Sequence, residues 1–225
     1  MNKLEGGKMK KAVVILSGGM DSTTLLYDVI KQGYEVSALS FDYGQRHKKE
    51  LEGAKATCEK LKVKHKVLDL KVLNEVAPSA LTRENLEVPE GHYEDENMKQ
   101  TVVPNRNMVL LSLAASYAIG IGAKKLFYGA HAGDHAIYPD CRKEFVDSMR
   151  ESIKLADWNE VELDAPYWNI DKGDIAIKGK ELRVDYSLTW TCYKGLEKAC
   201  GKCGACQERL EAFEKAGFKD PIEYE

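Results

Sequence analysis

The sequence predicts an α/β protein built on a doubly wound parallel sheet. Apolar runs at residues 12–16, 36–41 and 66–70 have the length and composition of buried strands, and helical patterns lie between them at about 21–32 and 47–62. Parallel strands need long crossover connections, so this βαβαβ order favours a parallel sheet with helices on both faces. A glycine-containing turn follows the first strand directly, at the strand end where such sheets bind ligands.

The second half of the chain continues the alternation. A strongly apolar helix is predicted at about 106–119, either as core or as a subunit contact, and a fourth strand at 126–128. Further helices are predicted at 142–156, 171–182 and about 206–216.

Residues 78–104, which lie between the third strand and the apolar helix, show no helical or strand period. They contain three prolines and the acidic run Glu94-Asp95-Glu96. Loops of this length without regular structure are uncommon in compact domains and are often functional. We expect either a mobile lid or a solvated surface excursion here.

The turn after the first strand reads Ser17-Gly18-Gly19-Met20-Asp21-Ser22. A glycine turn that opens a helix gathers free backbone N–H groups at the positive end of the helix dipole, which suits a phosphate group. Glycines let the backbone approach an anion closely, and the hydroxyls add donors. The turn contains no lysine, so it differs from the GxxxxGK[ST] phosphate loop.

Charge and composition limit the classes of function. Net charge is −3, with 44% hydrophobic and 31% charged residues. The chain as a whole is therefore not basic, and its net charge gives no reason to expect nucleic-acid binding. A local basic run at Arg46-His47-Lys48-Lys49 is expected to be the solvated start of a helix. No stretch approaches the ~20 apolar residues of a membrane span. Residues 1–8 are polar and are expected to be an N-terminal extension without function; a cytoplasmic location is expected.

Four of the six cysteines cluster in the spacing C-x7-C-x2-C-x2-C, as Cys192, Cys200, Cys203 and Cys206. Four thiolates form a closed tetrahedral site, so we predict a structural zinc ion, with an iron–sulfur cluster as the alternative. Without an export signal, disulfides are not expected. Cys58 is predicted to be a small core residue.

The SGGxDS string resembles the PP-loop of the ATP-pyrophosphatase superfamily. Together with the four cysteines, further strings resemble the 7-cyano-7-deazaguanine synthase family, bacterial and archaeal enzymes of queuosine and archaeosine biosynthesis. The resemblance runs from about residue 9 to the C-terminus, and its strings are FDYGQRH from Phe41, VPNRN from Val103, GAHAGD from Gly129, YPDCR from Tyr138 and TWTCY from Thr189.

This resemblance implies a fold like that of the adenine nucleotide alpha hydrolases, which is Rossmann-like. It divides the chain into a PP-loop ATP-binding domain at 9–185 and a four-cysteine zinc segment with a closing helix at 186–225. The implied reaction is ATP-dependent conversion of 7-carboxy-7-deazaguanine and ammonia to 7-cyano-7-deazaguanine. Adenylation would activate the carboxylate, ammonia would give an amide, and a second activation would give the nitrile. ATP, Mg²⁺ and Zn²⁺ are the implied cofactors, and a homodimer without nucleic acid or membrane partners is implied.

Within this resemblance, side-chain chemistry predicts the site residues. The catalytic candidates are Asp21, Ser22, Lys178 and Arg106, and the candidates for reading the base or orienting its carboxylate are Asp134, Asp140 and Arg142. Asp21 is predicted either as a magnesium ligand or as a simple helix cap. The predicted nucleotide-binding residues are Leu16, Ser17, Gly18, Gly19, Met20, Asp21, Ser22, Thr23, Thr24, Leu25, Leu26 and Phe41.

Ammonia attack needs proton removal, so either His131 or His135 could take part, unless both are ordinary hydrogen-bonded loop histidines. Cys141 is not needed as a nucleophile, because adenylation already activates the carboxylate.

Other functions share parts of this pattern. A tRNA-thiolating enzyme also combines a PP-loop with cysteines, but it usually needs a reactive cysteine or cluster and a basic RNA face. An amidating synthetase such as NAD synthetase shares the loop without needing four cysteines. A zinc module that binds nucleic acid or protein is the non-enzymatic alternative, although no basic and aromatic residues are interleaved with the cysteines. Failure to hydrolyse or exchange ATP under any condition would favour it.

Overall fold

The computed structural model describes residues 9–83, 86–93, 95–194 and 197–225. Its centre is a parallel sheet with strand order β3–β2–β1–β4–β5. The strands are β1 (Lys11–Ile15), β2 (Glu35–Asp42), β3 (Lys64–Asp69), β4 (Lys125–Phe127) and β5 (Glu162–Asp164). The first four confirm the predicted strands. The fifth was not predicted, because one leucine between two acidic residues does not form an apolar run.

Among the described residues, seven α-helices accompany the sheet, and every predicted helix is present with shifts of a few residues at its ends. The short α3 was not predicted. The helices are α1 (Met20–Lys31), α2 (Lys49–Leu61), α3 (Val72–Val76), α4 (Arg106–Gly120), α5 (Lys143–Leu155), α6 (Lys172–Leu182) and α7 (Gly204–Lys215).

Both faces of the sheet are covered, as the doubly wound prediction requires. Alternate residues of β1 point to opposite sides, so Val13 packs with Leu111 of α4 while Val14 packs with Leu25 of α1. Ile175 of α6 joins the second core, and α7 packs on α6. Burial on both faces explains why the central strands β1 and β2 are mostly apolar.

Strand order reverses at β1. From β1 the chain builds β2 and β3 on one side, then crosses to place β4 and β5 on the other. The loops that leave the carboxyl ends of β1 and β4 therefore diverge and leave a crevice between them, which is the ligand-binding position of open parallel sheets.

The segment at 78–104 is anchored in the core at several positions and exposed between them. Tyr93, Met98 and Val103 are buried, and a short 3-10 helix spans Glu96–Thr101. The expected surface excursion is therefore wrong for these residues. Residues 84, 85 and 94 of this segment lie outside the described residues.

A buried arginine holds the C-terminal segment together. Arg209 on α7 is fully buried and donates to the Asp220 carboxylate from Nε at 2.7 Å and from Nη2 at 2.9 Å. Its Nη1 donates to the hydroxyls of Thr189 at 2.8 Å and Thr191 at 3.1 Å. This bidentate pair satisfies the buried charge and ties the segment before the first metal-site cysteine to α7.

Within the described ranges, none of the helices combines the length and the apolar character needed to cross a membrane.

Candidate active site

A cavity of about 220 Å³ opens at the point where the strand order reverses. The loop after β1 and the loop after β4 form two of its walls, and α6 and the C-terminal segment contribute Lys172, Thr191, Tyr193 and Ala205. The cavity therefore combines a phosphate-type loop with side chains that are distant in the sequence.

The loop after β1 opens α1 with Gly19 as the N-cap residue. Its hydroxyls fold back on its own backbone: Ser17 Oγ accepts from Gly19 N at 3.1 Å, and Ser22 Oγ accepts from Ser17 N at 3.1 Å. Asp21 lies in the first helical turn, so it is not a simple cap residue. Its Oδ1 is buried and lacks a hydrogen-bond partner among the described residues.

Gly18 is required by packing. Its φ is +97°, and a Cβ there would lie 1.8 Å from the carbonyl oxygen of Glu50 at the start of α2. Its own carbonyl accepts a hydrogen bond from Trp190 N at 3.1 Å. Any side chain at position 18 would therefore push the loop away from α2.

Charged side chains of both signs cluster beside this loop. Lys172 Nζ lies 3.5 Å from Asp21 Oδ2 and pairs closely with Glu208 Oε2. Burial alone would lower the pKa of Lys172, but the carboxylates of Asp21, Glu208 and Asp134 raise it above its usual value. Lys172 is therefore a buried cation next to the predicted phosphate-binding loop.

His131 and Asp134 extend the cluster from the loop after β4. The imidazole Nε2 of His131 lies 3.5 Å from Asp134 Oδ2 and 3.8 Å from Asp21 Oδ2. Tyr93 donates a hydrogen bond to the other oxygen of Asp134. Burial would raise the pKa of Asp134, but His131, Lys172 and the Tyr93 hydrogen bond outweigh burial and lower it.

Aromatic rings form much of the rest of the cavity wall. Arg106 Nη1 donates to the Tyr43 hydroxyl at 3.2 Å, and the Tyr138 hydroxyl lies 2.7 Å from Thr101 Oγ1. This wall has the flat apolar faces and polar edges that suit a planar heterocycle. Its rings are Phe41, Tyr43, Tyr93, Tyr128, Tyr138 and Tyr193.

The structure brings together much of the predicted site. The predicted residues that line the cavity are Leu16, Ser17, Gly19, Met20, Asp21, Ser22, Phe41, Arg106, His131 and Asp134.

The rest of the predicted nucleotide set lies behind the loop. Thr24 Oγ1 is hydrogen-bonded at 2.8 Å to both Met20 O and the Tyr186 hydroxyl, and Leu25 and Leu26 are packed in the core. Gly18 and Thr23 are also absent from the cavity wall, and Thr23 is fully buried.

Three predicted charged residues have other surroundings. Lys178 Nζ pairs with Asp28 of α1 at 2.8 Å. Asp140 accepts from Asn107 N at 3.2 Å, so it caps the start of α4. Arg142 is exposed and donates from Nε to His135 O at 2.8 Å. The cavity wall includes none of the three.

Sequence reasoning missed Lys172, Glu208, His47 and Tyr193. His47 is buried and lines the cavity instead of starting a solvated helix, with Nε2 at 3.3 Å from Glu50. His47 lies in the FDYGQRH string and Tyr193 lies in the TWTCY string. These two strings were therefore the sequence signal that could have identified both residues. Lys172 and Glu208 carried no comparable signal in their helices.

The four clustered cysteines meet in space, and all four are buried. One sulfur from each lies within 4.8 Å of the other three. Backbone N–H groups of Cys200 and Cys203 donate to cysteine sulfurs at 3.4 Å, which stabilises thiolates. Cys58 is a separate buried core residue, as predicted.

This donor set fits a single tetrahedral ion. Metal–sulfur bonds near 2.3 Å put neighbouring sulfurs roughly 3.8 Å apart, and Cys200 Sγ lies 4.0 Å from Cys206 Sγ. All four positions are filled by thiols, so such an ion would have a structural role. A four-iron cluster needs its cysteines more widely spaced.

Comparison with known proteins finds similar sequences over nearly the whole chain. The family model described as "Queuosine biosynthesis protein QueC" matches residues 11–217. The chain is 68% identical to a "7-cyano-7-deazaguanine synthase" of Methanoregula boonei, over 96% of this chain and 99% of that protein. It is also 68% identical to the protein of that name from Caldicellulosiruptor saccharolyticus, over 96% of each.

Among solved structures, the "U34-tRNA thiolase NcsA from Methanococcus maripaludis with its [4Fe-4S] cluster" is similar, with a TM-score of 0.52. The alignment covers 92% of this chain and 66% of that one, at 16% identity, so it concerns the fold alone. The family-model match and the identity to the two synthases go further: this chain belongs to the QueC family of queuosine biosynthesis proteins.

Proposed function

We propose that this chain is an ATP-dependent ligase that converts 7-carboxy-7-deazaguanine and ammonia to 7-cyano-7-deazaguanine. The observation that carries the proposal is 68% identity, over nearly the whole of both chains, to proteins named 7-cyano-7-deazaguanine synthase. The cavity supports it chemically, because a phosphate-type loop and an aromatic wall enclose a space lined by acids and bases.

The loop after β1 would hold the triphosphate. Ser17 and Ser22 now satisfy backbone N–H groups of their own loop, and rotation of these hydroxyls frees those groups for phosphate oxygens. The unpartnered Oδ1 of Asp21 fits a magnesium ion that offsets triphosphate charge. When bound, magnesium would lower the negative charge that an attacking carboxylate meets.

Lys172 takes the role that the sequence suggested for Lys178. A buried ammonium group 3.5 Å from Asp21 Oδ2 is placed to stabilise charge on the α-phosphate as the substrate carboxylate attacks it. The carboxylate oxygen bonds to phosphorus, pyrophosphate leaves, and the resulting mixed anhydride is an electrophile that ammonia can attack.

Asp134 and Arg106 are the proposed substrate residues. A carboxylate has about four lone-pair positions, so Asp134 can accept from Tyr93 and still accept from the N–H edge of a deazaguanine. Arg106 can pair with the substrate carboxylate from the Tyr43 side of the cavity. Asp140 and Arg142 would support the site indirectly, through the start of α4 and the loop at His135.

Zinc is the proposed ion of the four-cysteine site, with a structural role. A homodimer is the proposed assembly, because Met108 of the apolar helix α4 stays 43% exposed although that helix was predicted as core or contact. Sedimentation of the zinc-loaded protein tests the dimer, and a monomer at working concentration contradicts it.

The test of function is a product analysis. The metal-loaded protein is incubated with magnesium-ATP, ammonium and 7-carboxy-7-deazaguanine, and products are identified by mass spectrometry. A nitrile product is expected, with AMP and pyrophosphate as by-products. Asp21→Ala should lower its rate at least ~100-fold, the loss typical of removing one transition-state contact. Asp157→Ala, in an exposed turn, is the matched control.

Different results of this product analysis would contradict different parts of the proposal. ADP as the only nucleotide product would contradict the AMP route, and absence of nitrile from a folded, metal-bound protein would contradict the substrate assignment. Thiolated tRNA would then be the product to seek.

A further inference from the structure

One tyrosine joins the four-cysteine segment to the carboxylate that is proposed to bind the substrate base. Tyr93 is buried and lines the cavity. Its hydroxyl donates a hydrogen bond to Asp134 Oδ1, while Asp134 Oδ2 lies 3.5 Å from His131 Nε2. The closer of these two contacts to the carboxylate therefore comes from the tyrosine.

The orientation of an aspartate carboxylate depends on contacts of this kind. The torsion that turns the carboxylate plane, χ2, is broad and has no sharp staggered minima, so the side chain's own rotamer does not fix the plane. A hydrogen bond to one oxygen limits the rotation and still leaves lone pairs on both oxygens for a ligand. Tyr93 is therefore placed to set the plane in which Asp134 accepts hydrogen bonds.

The chain just before Tyr93 is held by the loop that carries the metal-site cysteines. Glu90 forms an antiparallel β-bridge with Cys203, and Gly91 N donates to Lys202 O at 3.4 Å. These backbone contacts fix the position of the segment independently of the Tyr93 side chain. The place from which the tyrosine reaches the cavity is thus set by the four-cysteine segment.

Tyr93 itself is enclosed by its neighbours. A Cβ on Gly204 would lie 3.1 Å from Tyr93 Cα, so the missing side chain lets the start of α7 pack directly on this backbone. Lys172 Nζ lies 5.7 Å from the centre of the Tyr93 ring, and the Tyr138 ring lies 6.3 Å away between centroids. Burial, followed by nearby carboxylates, raises the pKa of Tyr93 well above its usual value, so its hydroxyl stays a donor.

A guanine-type base offers an edge that matches an oriented carboxylate. Its ring N–H and its 2-amino group are adjacent donors, and one carboxylate accepts from both when the two groups share a plane. A base without the 2-amino group makes one of these bonds instead of two and leaves a desolvated carboxylate oxygen without a partner. Discrimination between the two bases therefore depends on how firmly the carboxylate plane is held.

We propose that Tyr93 is a positioning residue for base recognition, which fixes the plane of the Asp134 carboxylate and thereby favours bases that carry an amine beside a ring N–H. The proposal rests on the proposed function, in which the substrate is a 7-deazaguanine. It adds the feature of the substrate that the site selects, the 2-amino group, and the residue that makes the selection sharp. Because the segment before Tyr93 pairs with the four-cysteine loop, that loop takes part in the choice of substrate.

The test compares two substrates in one variant. The kcat/KM for nitrile formation is measured with 7-carboxy-7-deazaguanine and with its analogue that lacks the 2-amino group. The wild-type protein should prefer the amino substrate about 100-fold, as expected for one hydrogen bond to a charged group. Tyr93→Phe removes only the hydroxyl and should lower this preference at least ~fivefold, because the carboxylate plane is then free to turn.

Tyr224→Phe is the matched control. The Tyr224 hydroxyl also donates to a carboxylate, Asp220 Oδ2 at 2.5 Å, but neither residue lines the cavity. Its loss should leave the substrate preference unchanged. A variant that is only less stable loses activity with both substrates and keeps their ratio, so the ratio separates positioning from a structural role.

The outcomes distinguish this proposal from the proposed function. A Tyr93→Phe preference that falls by less than the stated factor overturns the positioning role, however much activity is lost with both substrates. A wild-type protein that converts both substrates equally well also overturns it, while the proposed function stands. Absence of nitrile from either substrate contradicts the proposed function instead.

Binding gives the same comparison without turnover. The Kd of each base for the metal-loaded protein is measured by calorimetry in the absence of ATP. The wild-type protein should bind the amino base more tightly, and Tyr93→Phe should lower the ratio of the two Kd values by the same factor as the kinetic preference. Equal Kd values in the wild-type protein, or an unchanged ratio in the variant, overturn the proposal whatever the protein's activity.

Discussion

Lys172 and Lys178 lie on the same helix in opposite surroundings. The side chain of Lys172 is 9% exposed and faces Asp21, whereas that of Lys178 is 39% exposed and pairs with Asp28. Lys172→Met should therefore lower kcat for nitrile formation ~100-fold or more, in line with the loss of one preorganised charge. Lys178→Met should lower the melting temperature and leave kcat within about twofold, because it acts through packing of α1 on α6.

Steady-state kinetics and thermal unfolding on the two variants check this. The reverse pattern, with turnover lost in Lys178→Met and kept in Lys172→Met, would restore the assignment drawn from sequence alone.

The sequence pointed to Lys178 for a physical reason. Helix α6 buries Lys172, Gly173, Ile175, Ala176 and Gly179, a set that mixes charged, small and apolar residues. No clear apolar stripe then indicates which face of the helix is inside, so the side that reaches the cavity could not be deduced. By contrast, the loop after β1 was predictable, because strand, glycine turn and helix follow each other directly in the chain.

Helix α7 combines two stabilising elements, metal-site cysteines at its start and Arg209 in its second turn. Arg209→Met would leave the buried Asp220 carboxylate without its partner, which costs about 3–5 kcal/mol in comparable pairs. Urea unfolding should show this loss. The double variant Arg209→Met/Asp220→Leu should recover a large part of it, because no buried charge is then left unpaired.

Lys215→Met is the control on the same helix. Lys215 pairs with Asp171 and Asp174 at the surface, where ion pairs contribute little, so its unfolding midpoint should stay near that of the wild-type protein. If the Arg209→Met variant unfolded at the same urea concentration as the wild-type protein, Arg209 would not stabilise the C-terminal segment.

Elements with strong local patterns were predictable, and those without were not. Strands β1 to β4 each carry enough apolar residues to be recognised, but β5 gains its place by pairing with β4 and by packing against α5. The packed segment at Tyr93 and Met98 was also missed, because its burial comes from distant partners: Tyr93 contacts Asp134, and Met98 lies near Gly204. Tertiary contacts of this kind leave no period in the sequence.

The four-cysteine site adjoins the wall of the cavity. Thr191, Tyr193 and Ala205 line the cavity and flank Cys192 and Cys206. Cys203→Ser should therefore lose metal and lower the melting temperature, and the acid substrate should bind more weakly because a cavity wall loosens. Metal analysis, thermal unfolding and ligand titration measure the three effects.

Cys58→Ala is the control, since Cys58 is a buried core thiol distant from the cluster in sequence. It should keep the metal. Cys203→Ser protein that retained both metal and wild-type melting would refute a structural ion at this site. The division of the chain at residue 185 stays a prediction, and these measurements bear on it, because a separate zinc segment would melt apart from the rest.

The hydrogen bond from Trp190 N to Gly18 O has a consequence for how the protein is made. It joins a loop that leaves the ribosome early to a residue that emerges much later. Contacts between such distant positions slow folding, because a large loop must close before they form. During that interval the growing chain can pair its first strands, yet the nucleotide loop lacks its later partner. The loop is therefore expected to reach its final geometry only after the late segment has docked.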